Sequence, residues 1–299
     1  MKRLIALLLL LCLSLLLGCM RGATELTDGM GNGVVPEILS EEIAKDEGVQ
    51  VNAIAALLIE LGEHQPLYNK NADLPLPPAS LVKLMPVYLL FKEIEAGSVD
   101  LESIVTISEF STSTIGSQAG LPTGAKLTID ALLYCILLPS GGEATIALAE
   151  HLYGSEEAMV AKMNQTAAEL GLTKTVFYDC SGVNYRQTTT ANDLALFATQ
   201  LLEEFPRILN YTAKRVHTIN YTLDGVPHKL GCVSTNNLLG NTNGVLGLKT
   251  GTASVMHNVI VYQERGDKKL MAILLGSPDN TARWNSAANL LSFGFDQLP

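Results

Sequence analysis

Positive charge is what this 299-residue chain has least of: 20 Lys and Arg stand against 30 Asp and Glu, a net of −10. That deficit excludes nucleic acid as the expected partner and an electrostatic hold on an anionic membrane, because both need clustered cations. Long apolar runs are also missing. The run over residues 4–17 falls short of the roughly 20 apolar residues a spanning helix needs. Metal-ligand spacing is absent too. Neither Cys12, Cys19, Cys135, Cys180 and Cys232 nor the five histidines fall into a zinc-type pattern, so no metal is expected. The stretch Gly29-Met30-Gly31-Asn32-Gly33 follows no strand and opens no apolar helix, so it is not a nucleotide loop.

The N-terminus has the pattern of a targeting segment. Lys2 and Arg3 precede the apolar run, which ends Leu16-Leu17-Gly18-Cys19. Such a run reads as the core of a signal peptide. Its end is similar to a bacterial lipoprotein signal, in which the cysteine becomes the lipid-bearing N-terminus. Ordinary cleavage near Gly18 or Gly22 is the alternative. The expected organisation is a lipoprotein signal peptide over residues 1–18, a flexible tether over 19–45 and one folded domain over 46–299, with no second domain. Without residues 1–18 the chain has 18 cations against 30 anions, a net of −12. A lipid on Cys19 would hold it at the membrane without a basic patch. Cys135 lies in an apolar helical run and reads as core. Cys180 and Cys232 are left as a possible disulfide or as free thiols.

Against these absences stands Pro77-Pro78-Ala79-Ser80-Leu81-Val82-Lys83-Leu84-Met85. The prolines disfavour helix before them. Leu81, Leu84, Met85, Tyr88, Leu89 and Ile94 then recur at helical spacing. Ser80 therefore falls in the first helical turn with Lys83 on the same face. A serine hydroxyl needs a base to become a nucleophile. A lysine amine can be that base once burial or a nearby cation lowers its pKa. The helix start adds free N–H groups for a developing oxyanion. The plain alternative for this tetrapeptide is a capping serine with a solvated lysine.

Two more stretches change the balance: Pro139-Ser140-Gly141-Gly142-Glu143, at a break between apolar helical patterns, and Lys249-Thr250-Gly251-Thr252, leading into a strand-rich end. Ser-x-x-Lys with a later Ser-x-Asn type motif and Lys-Thr-Gly marks penicillin-binding proteins and class A β-lactamases. Residues 46–299 resemble the serine D-alanyl-D-alanine carboxypeptidases, the low-molecular-mass penicillin-binding proteins. Besides these motifs, Met163-Asn164, Glu169-Leu170-Gly171-Leu172, Thr190-Ala191-Asn192-Asp193-Leu194-Ala195, Thr235-Asn236-Asn237-Leu238-Leu239, and Arg283 with Leu290-Leu291-Ser292-Phe293-Gly294-Phe295 carry the likeness.

The resemblance implies removal of the terminal D-alanine from peptidoglycan stem peptides through an acyl-enzyme on Ser80. Lys83 would be the base and Ser140 the proton relay. Lys249, Thr250, Gly251 and Thr252 would bind substrate, with N–H groups of Ser80 and Thr252 as the oxyanion hole. Arg283 would hold the terminal carboxylate, or be a solvated arginine at a helix start. The resemblance also implies β-lactam antibiotics as ligands, no metal or organic cofactor, and an extracytoplasmic protein anchored by the Cys19 lipid. Gly142 departs from the family pattern, where asparagine is usual, and Glu143 stands where aspartate is common. Met256-His257 replaces a common Ala-Gly. A lipid-anchored binder of stem peptides or β-lactams without useful turnover is thus the second reading. A serine β-lactamase ranks lower, because no Glu-x-x-Leu-Asn stretch lies between Ser140 and Lys249. The first reading remains a carboxypeptidase that Gly142 slows without abolishing acylation: a water in the space of the missing asparagine amide carries part of its bonding, and Gly142→Asn is expected to raise kcat/KM.

The coarse pattern predicts an α+β fold of the DD-peptidase and β-lactamase kind. Strands are expected over residues 50–60 and from Gln65. Helices are expected over 81–97, kinked at Pro86, and over 127–138, 143–153, 156–170 and 192–204. Hairpins should turn at Asp224-Gly225 and Gly266-Asp267, and a last helix should cover 281–293. Strands at both ends with helices between them imply a central antiparallel sheet with an inserted helical lobe.

Overall fold

The computed structural model describes residues 48–62 and 65–298. The expected signal peptide, Cys19 and the whole of the expected tether lie outside the described residues. Among the described residues no helix is long and apolar enough to cross a membrane.

The central sheet forms from the two ends of the chain. Strand β1 (Ala55–Glu60) is buried along its whole length, as a continuous apolar run should be. It lies between β2 (Gln65–Lys70) and the late strand β9 (Lys268–Ser277); β8 (Met256–Arg265) and β7 (Val245–Ala253) complete the antiparallel order β2-β1-β9-β8-β7. Alternate residues serve two cores. Leu57, Ile260, Met271 and Ile273 face the helical lobe. Leu58, Val259, Ala272 and Leu274 face the last helix through Trp284, Ala287 and Leu290. That alternation is the period of a strand buried on both sides. Strand β7 is an edge, and the lobe meets the sheet along it.

The lobe's main helices are α1 (Leu84–Glu95), α2 (Ile129–Leu137), α3 (Gly142–Tyr153), α4 (Glu156–Glu169) and α5 (Ala191–Glu204); α6 (Asn280–Gln297) closes the chain against the sheet. Thr128, Ser155, Thr190 and Asp279 cap α2, α4, α5 and α6 with side-chain oxygens. Pro86 does not kink a continuous helix. It is the third residue of α1, where a helix has no internal use for the N–H that proline lacks. The residues before it, Ala79–Lys83, wind as a 3-10 turn instead.

The Asp224-Gly225 hairpin forms as expected, with φ of 51° and 78° at the two turn residues, as a tight two-residue turn requires. Its strands β5 (Val216–Leu223) and β6 (Val226–Val233) do not join the central sheet. They extend a second sheet in the order β3-β4-β5-β6, with β3 (Ile104–Thr106) and β4 (Lys126–Thr128). The reason is burial: in β5 only Ile219 is fully covered, so the hairpin lacks the apolar faces of a central strand. The possible Cys180–Cys232 disulfide is not formed. Cys232 instead lies against Cys135, with the sulfurs 3.7 Å apart, and Cys135, Cys180 and Cys232 are all free thiols.

Candidate active site

A 3-10 helix has three residues per turn, so positions i and i+3 eclipse. In the turn Ala79–Lys83 this stacks Lys83 on Ser80, with Lys83 Nζ 3.0 Å from Ser80 Oγ. Lys83 is 1% exposed, and its ammonium also donates to the Ser181 carbonyl. Burial pulls the Lys83 amine down to about 8, while Cys180, Asp179 and Glu143 oppose the shift. This is not a solvated lysine beside a capping serine. Ser80 itself is partly open to solvent.

Two glycines clamp the turn that presents Ser80. A Cβ at Gly251 would lie 2.6 Å from the Pro78 carbonyl oxygen, and one at Gly182 only 2.4 Å from that of Ala79. Ala79 itself holds the left-handed φ of 50°. The loop carrying Gly182 is gathered by the Asp179 carboxylate, which accepts from the N–H groups of Ser181, Gly182, Val183 and Asn184 and from Gln187 Nε2. Asn258 braces the other side: its Nδ2 donates to the carbonyls of Pro77 and Pro78, and its Oδ1 accepts from the Gly276 N–H. Sequence reasoning missed Asp179, Ser181, Gly182 and Asn258. The Asp-Cys-Ser-Gly run carries a turn signal, but nothing in it points across 98 residues to Lys83.

Ser140 sits between α2 and α3 with a left-handed φ of 67° and is 3% exposed. Lys249 Nζ donates to Ser140 Oγ at 2.8 Å and to the Thr250 carbonyl at 3.1 Å. Burial, helped by the charges of Lys83 and Arg283, holds Lys249 well below the usual lysine range. Thr250 Oγ1 shares a 2.6 Å hydrogen bond with Thr235 Oγ1, and the Thr235 N–H donates to the Leu138 carbonyl. The site thus joins the Ser80 turn, the Ser140 turn and edge strand β7. Gly251 serves as the point of close approach.

Arg283 is not the solvated arginine of a helix start. It is 5% exposed, and its Nη1 donates to the carbonyls of Gly251 and Asn258 and to Thr252 Oγ1, each at 3.2 Å; Nη2 donates to Asn280 Oδ1. Burial lowers it to about 10, so it remains a cation at neutral pH. Among the described residues no group of His, Cys, Asp or Glu side chains is placed to hold a metal ion.

The space beside Gly142 is filled by protein rather than left for water. The Gly142 N–H donates to the Ser117 carbonyl at 2.8 Å, and a Cβ at 142 would lie 3.1 Å from Thr114 Cγ2 and 3.2 Å from Ser117 O. The buried Glu143 carboxylate holds the same segment by accepting from the N–H groups of Gly120 and Leu121. Residues 114–121 therefore lie as a strap along the start of α3. This contact reverses the expectation that Gly142→Asn raises activity. The larger side chain needs Thr114 and the Ser117 carbonyl to give by a few tenths of an ångström, an overpacking cost of about 1–3 kcal/mol. A thermal melt of Gly142→Asn should show a Tm lower by about 2–4 °C for each kcal/mol, with acylation no faster than in the wild type. An unchanged Tm and faster acylation would show that the strap yields freely.

The sequence profile described as D-alanyl-D-alanine carboxypeptidase matches residues 41–279. The D-alanyl-D-alanine carboxypeptidase DacF of Bacillus subtilis (strain 168) is 32% identical over 261 residues, covering 85% of this chain and 66% of the relative. The chain therefore spans just under two thirds of that relative's length. Among solved structures, the D-alanyl-D-alanine carboxypeptidase DacD from Francisella tularensis superposes with a TM-score of 0.78 at 25% identity, over 90% of this chain and 76% of that one. Penicillin-binding protein D2 from Listeria monocytogenes, in its ampicillin-bound form, gives a TM-score of 0.69 at 27% identity over 83% of this chain and 98% of that one. The shared fold bears out the DD-peptidase-like architecture. With the profile running through the Ser80, Ser140 and Lys249 segments, the chain belongs to the D-alanyl-D-alanine carboxypeptidase family.

Proposed function

We propose that the protein is a serine-type carboxypeptidase that removes the terminal D-alanine from peptidoglycan stem peptides. The observation that carries this is the 3.0 Å approach of Lys83 Nζ to Ser80 Oγ, with the amine buried and lowered to about 8. A neutral Lys83 takes the Ser80 proton as Oγ bonds to the carbonyl carbon of the penultimate residue. The oxyanion is met by the N–H groups of Ser80 and Thr252. The peptide C–N bond then breaks, and Ser140 passes the proton from Lys83 to the leaving amine. Water hydrolyses the ester and releases Ser80. Lys249 and Thr250 bind the substrate, Gly251 lets β7 approach it, and Arg283 attracts its terminal carboxylate. β-Lactams would acylate the same serine. Purified protein given diacetyl-Lys-D-Ala-D-Ala should release D-alanine.

Gly142 favours one competing reading, a binder that is acylated without useful turnover, because glycine offers no amide to the base or the substrate. Penicillin capture without D-alanine release at high protein concentration would establish it. We further place the protein outside the cytoplasm, with one catalytic domain over residues 46–299 and a lipid on Cys19. The support is the Leu16-Leu17-Gly18-Cys19 end of the apolar run. An intact mass beginning at an unmodified residue beyond Cys19 would remove the anchor from this reading.

A further inference from the structure

Three residues beyond Lys249, the central sheet aligns three polar side chains. Thr252 on β7 pairs with His257 on β8, and His257 pairs with Ser277 on β9. Cross-strand partners share a face of the sheet. The face is fixed by Thr252 Oγ1, which accepts from Arg283 on α6. His257 Nδ1, Ser277 Oγ and Arg283 Nε are all buried and have no hydrogen-bond partner among the described residues. Each such atom costs about 1–3 kcal/mol in a folded protein. All three can donate, which suits them to an anion.

Arg283 offers its Nε to one oxygen of such an anion. Its Nη atoms already serve Gly251, Thr252, Asn258 and Asn280. A carboxylate arriving at Thr252 therefore needs another donor, and His257 stands directly across the strand pair. We propose that His257 is a second positioning residue for the substrate's terminal carboxylate, so that recognition of a free C-terminus strengthens as pH falls. The inference rests on the carboxypeptidase reading and names the group that tunes it.

The charged groups acting on His257 are Arg283 and Asp279, both from the α6 end of the sheet. Burial and the Arg283 cation push the imidazole down, and Asp279 opposes them. The Asp279 carboxylate is committed to the cap of α6 through the Ala282 N–H. Burial and Arg283 thus favour the neutral imidazole in the free protein. A bound carboxylate favours the imidazolium, so binding takes up a proton. The gain is fully present below the free imidazole's pKa and is lost as pH rises through the higher pKa of the complex.

The test compares kcat/KM for diacetyl-Lys-D-Ala-D-Ala and for the same peptide ending in an amide. Titration of Lys83 affects both substrates and cancels in their ratio. In the wild type the carboxylate-to-amide ratio should rise about tenfold between about pH 7.5 and about 5.5, as one charge-assisted hydrogen bond allows. In His257→Ala the ratio should be flat, with the loss in KM and the amide substrate unaffected. His257→Gln, which keeps a donor without the charge, should also be flat. A flat wild-type ratio, or an unchanged pH dependence in His257→Ala, would overturn the proposal. If the wild type hydrolyses neither peptide, the carboxypeptidase reading fails separately. The acylation rates of Ser80 by benzylpenicillin and its methyl ester then supply the same ratio and decide the role of His257.

Discussion

Replacing Ser80 with alanine should abolish covalent capture of penicillin and all D-alanine release, while Lys83→Met should slow acylation by about 10²–10⁴-fold, the usual contribution of a positioned general base. Serine supplies the bond that forms, so no residual labelling is expected without it. Lys83→Met keeps a long apolar stem in a site that is 1% exposed and removes only the amine. The pH dependence gives an independent reading of the same assignment. The base works only when neutral. With the amine at about 8, about a tenth of it is neutral at pH 7. Acylation should therefore increase with pH through a midpoint near 8, and the Lys83→Met variant should lose that limb. Stopped-flow acylation by a chromogenic cephalosporin across this window would measure it. Labelling that persists in Ser80→Ala, or a midpoint near the ordinary lysine value of 10.5, would sink the assignment.

How much of this was legible beforehand depended on whether the signal was local. Ser80 and Lys83 lie within one turn, so the spacing alone put them together. The helices of the lobe carry their own caps and apolar stripes, and Asp224-Gly225 carries its own turn chemistry. Non-local information was not legible. Pro86 announces a break, but nothing local announces that the preceding turn winds as a 3-10 helix pressed against Gly251. The β5–β6 hairpin was recognisable as a hairpin, while its partner sheet depended on the short strands β3 and β4. Cys232 meets Cys135 rather than Cys180, because sulfur positions follow from how α2 packs on that second sheet. Arg283 stood open between a carboxylate-holding arginine and a solvated one, and the cover that excludes the second comes from the distant sheet edge. Gly142 read as a deleted side chain. The strap that fills its place comes from residues 114–121, whose sequence has no motif to announce it.

Gly182→Ala should cost the protein both stability and acylation. Two costs combine there. Gly182 holds φ of 89°, a conformation in which a Cβ is strained by about 1–2 kcal/mol. The added methyl would also fall 2.4 Å from the Ala79 carbonyl oxygen and 2.8 Å from the Ser80 nitrogen. Neither atom belongs to a flexible side chain, so the backbone that presents the nucleophile has to move. The loop cannot easily retreat, because Asp179 holds four of its N–H groups and Lys83 donates to the Ser181 carbonyl. A 1 Å misplacement of a catalytic group costs on the order of 10²-fold in rate, so acylation should fall by at least about that much. Gly171→Ala separates the two costs. Gly171 has φ of 75°, and a Cβ there would meet nothing within 4 Å. That variant should lose about 1–2 kcal/mol of stability through strain alone and acylate Ser80 at the wild-type rate. Gly182→Ala should lose more stability, by denaturant titration, and should also lose acylation. Equal stability losses with equal acylation rates would mean that the Ser80 turn is not held by the loop pressed against it.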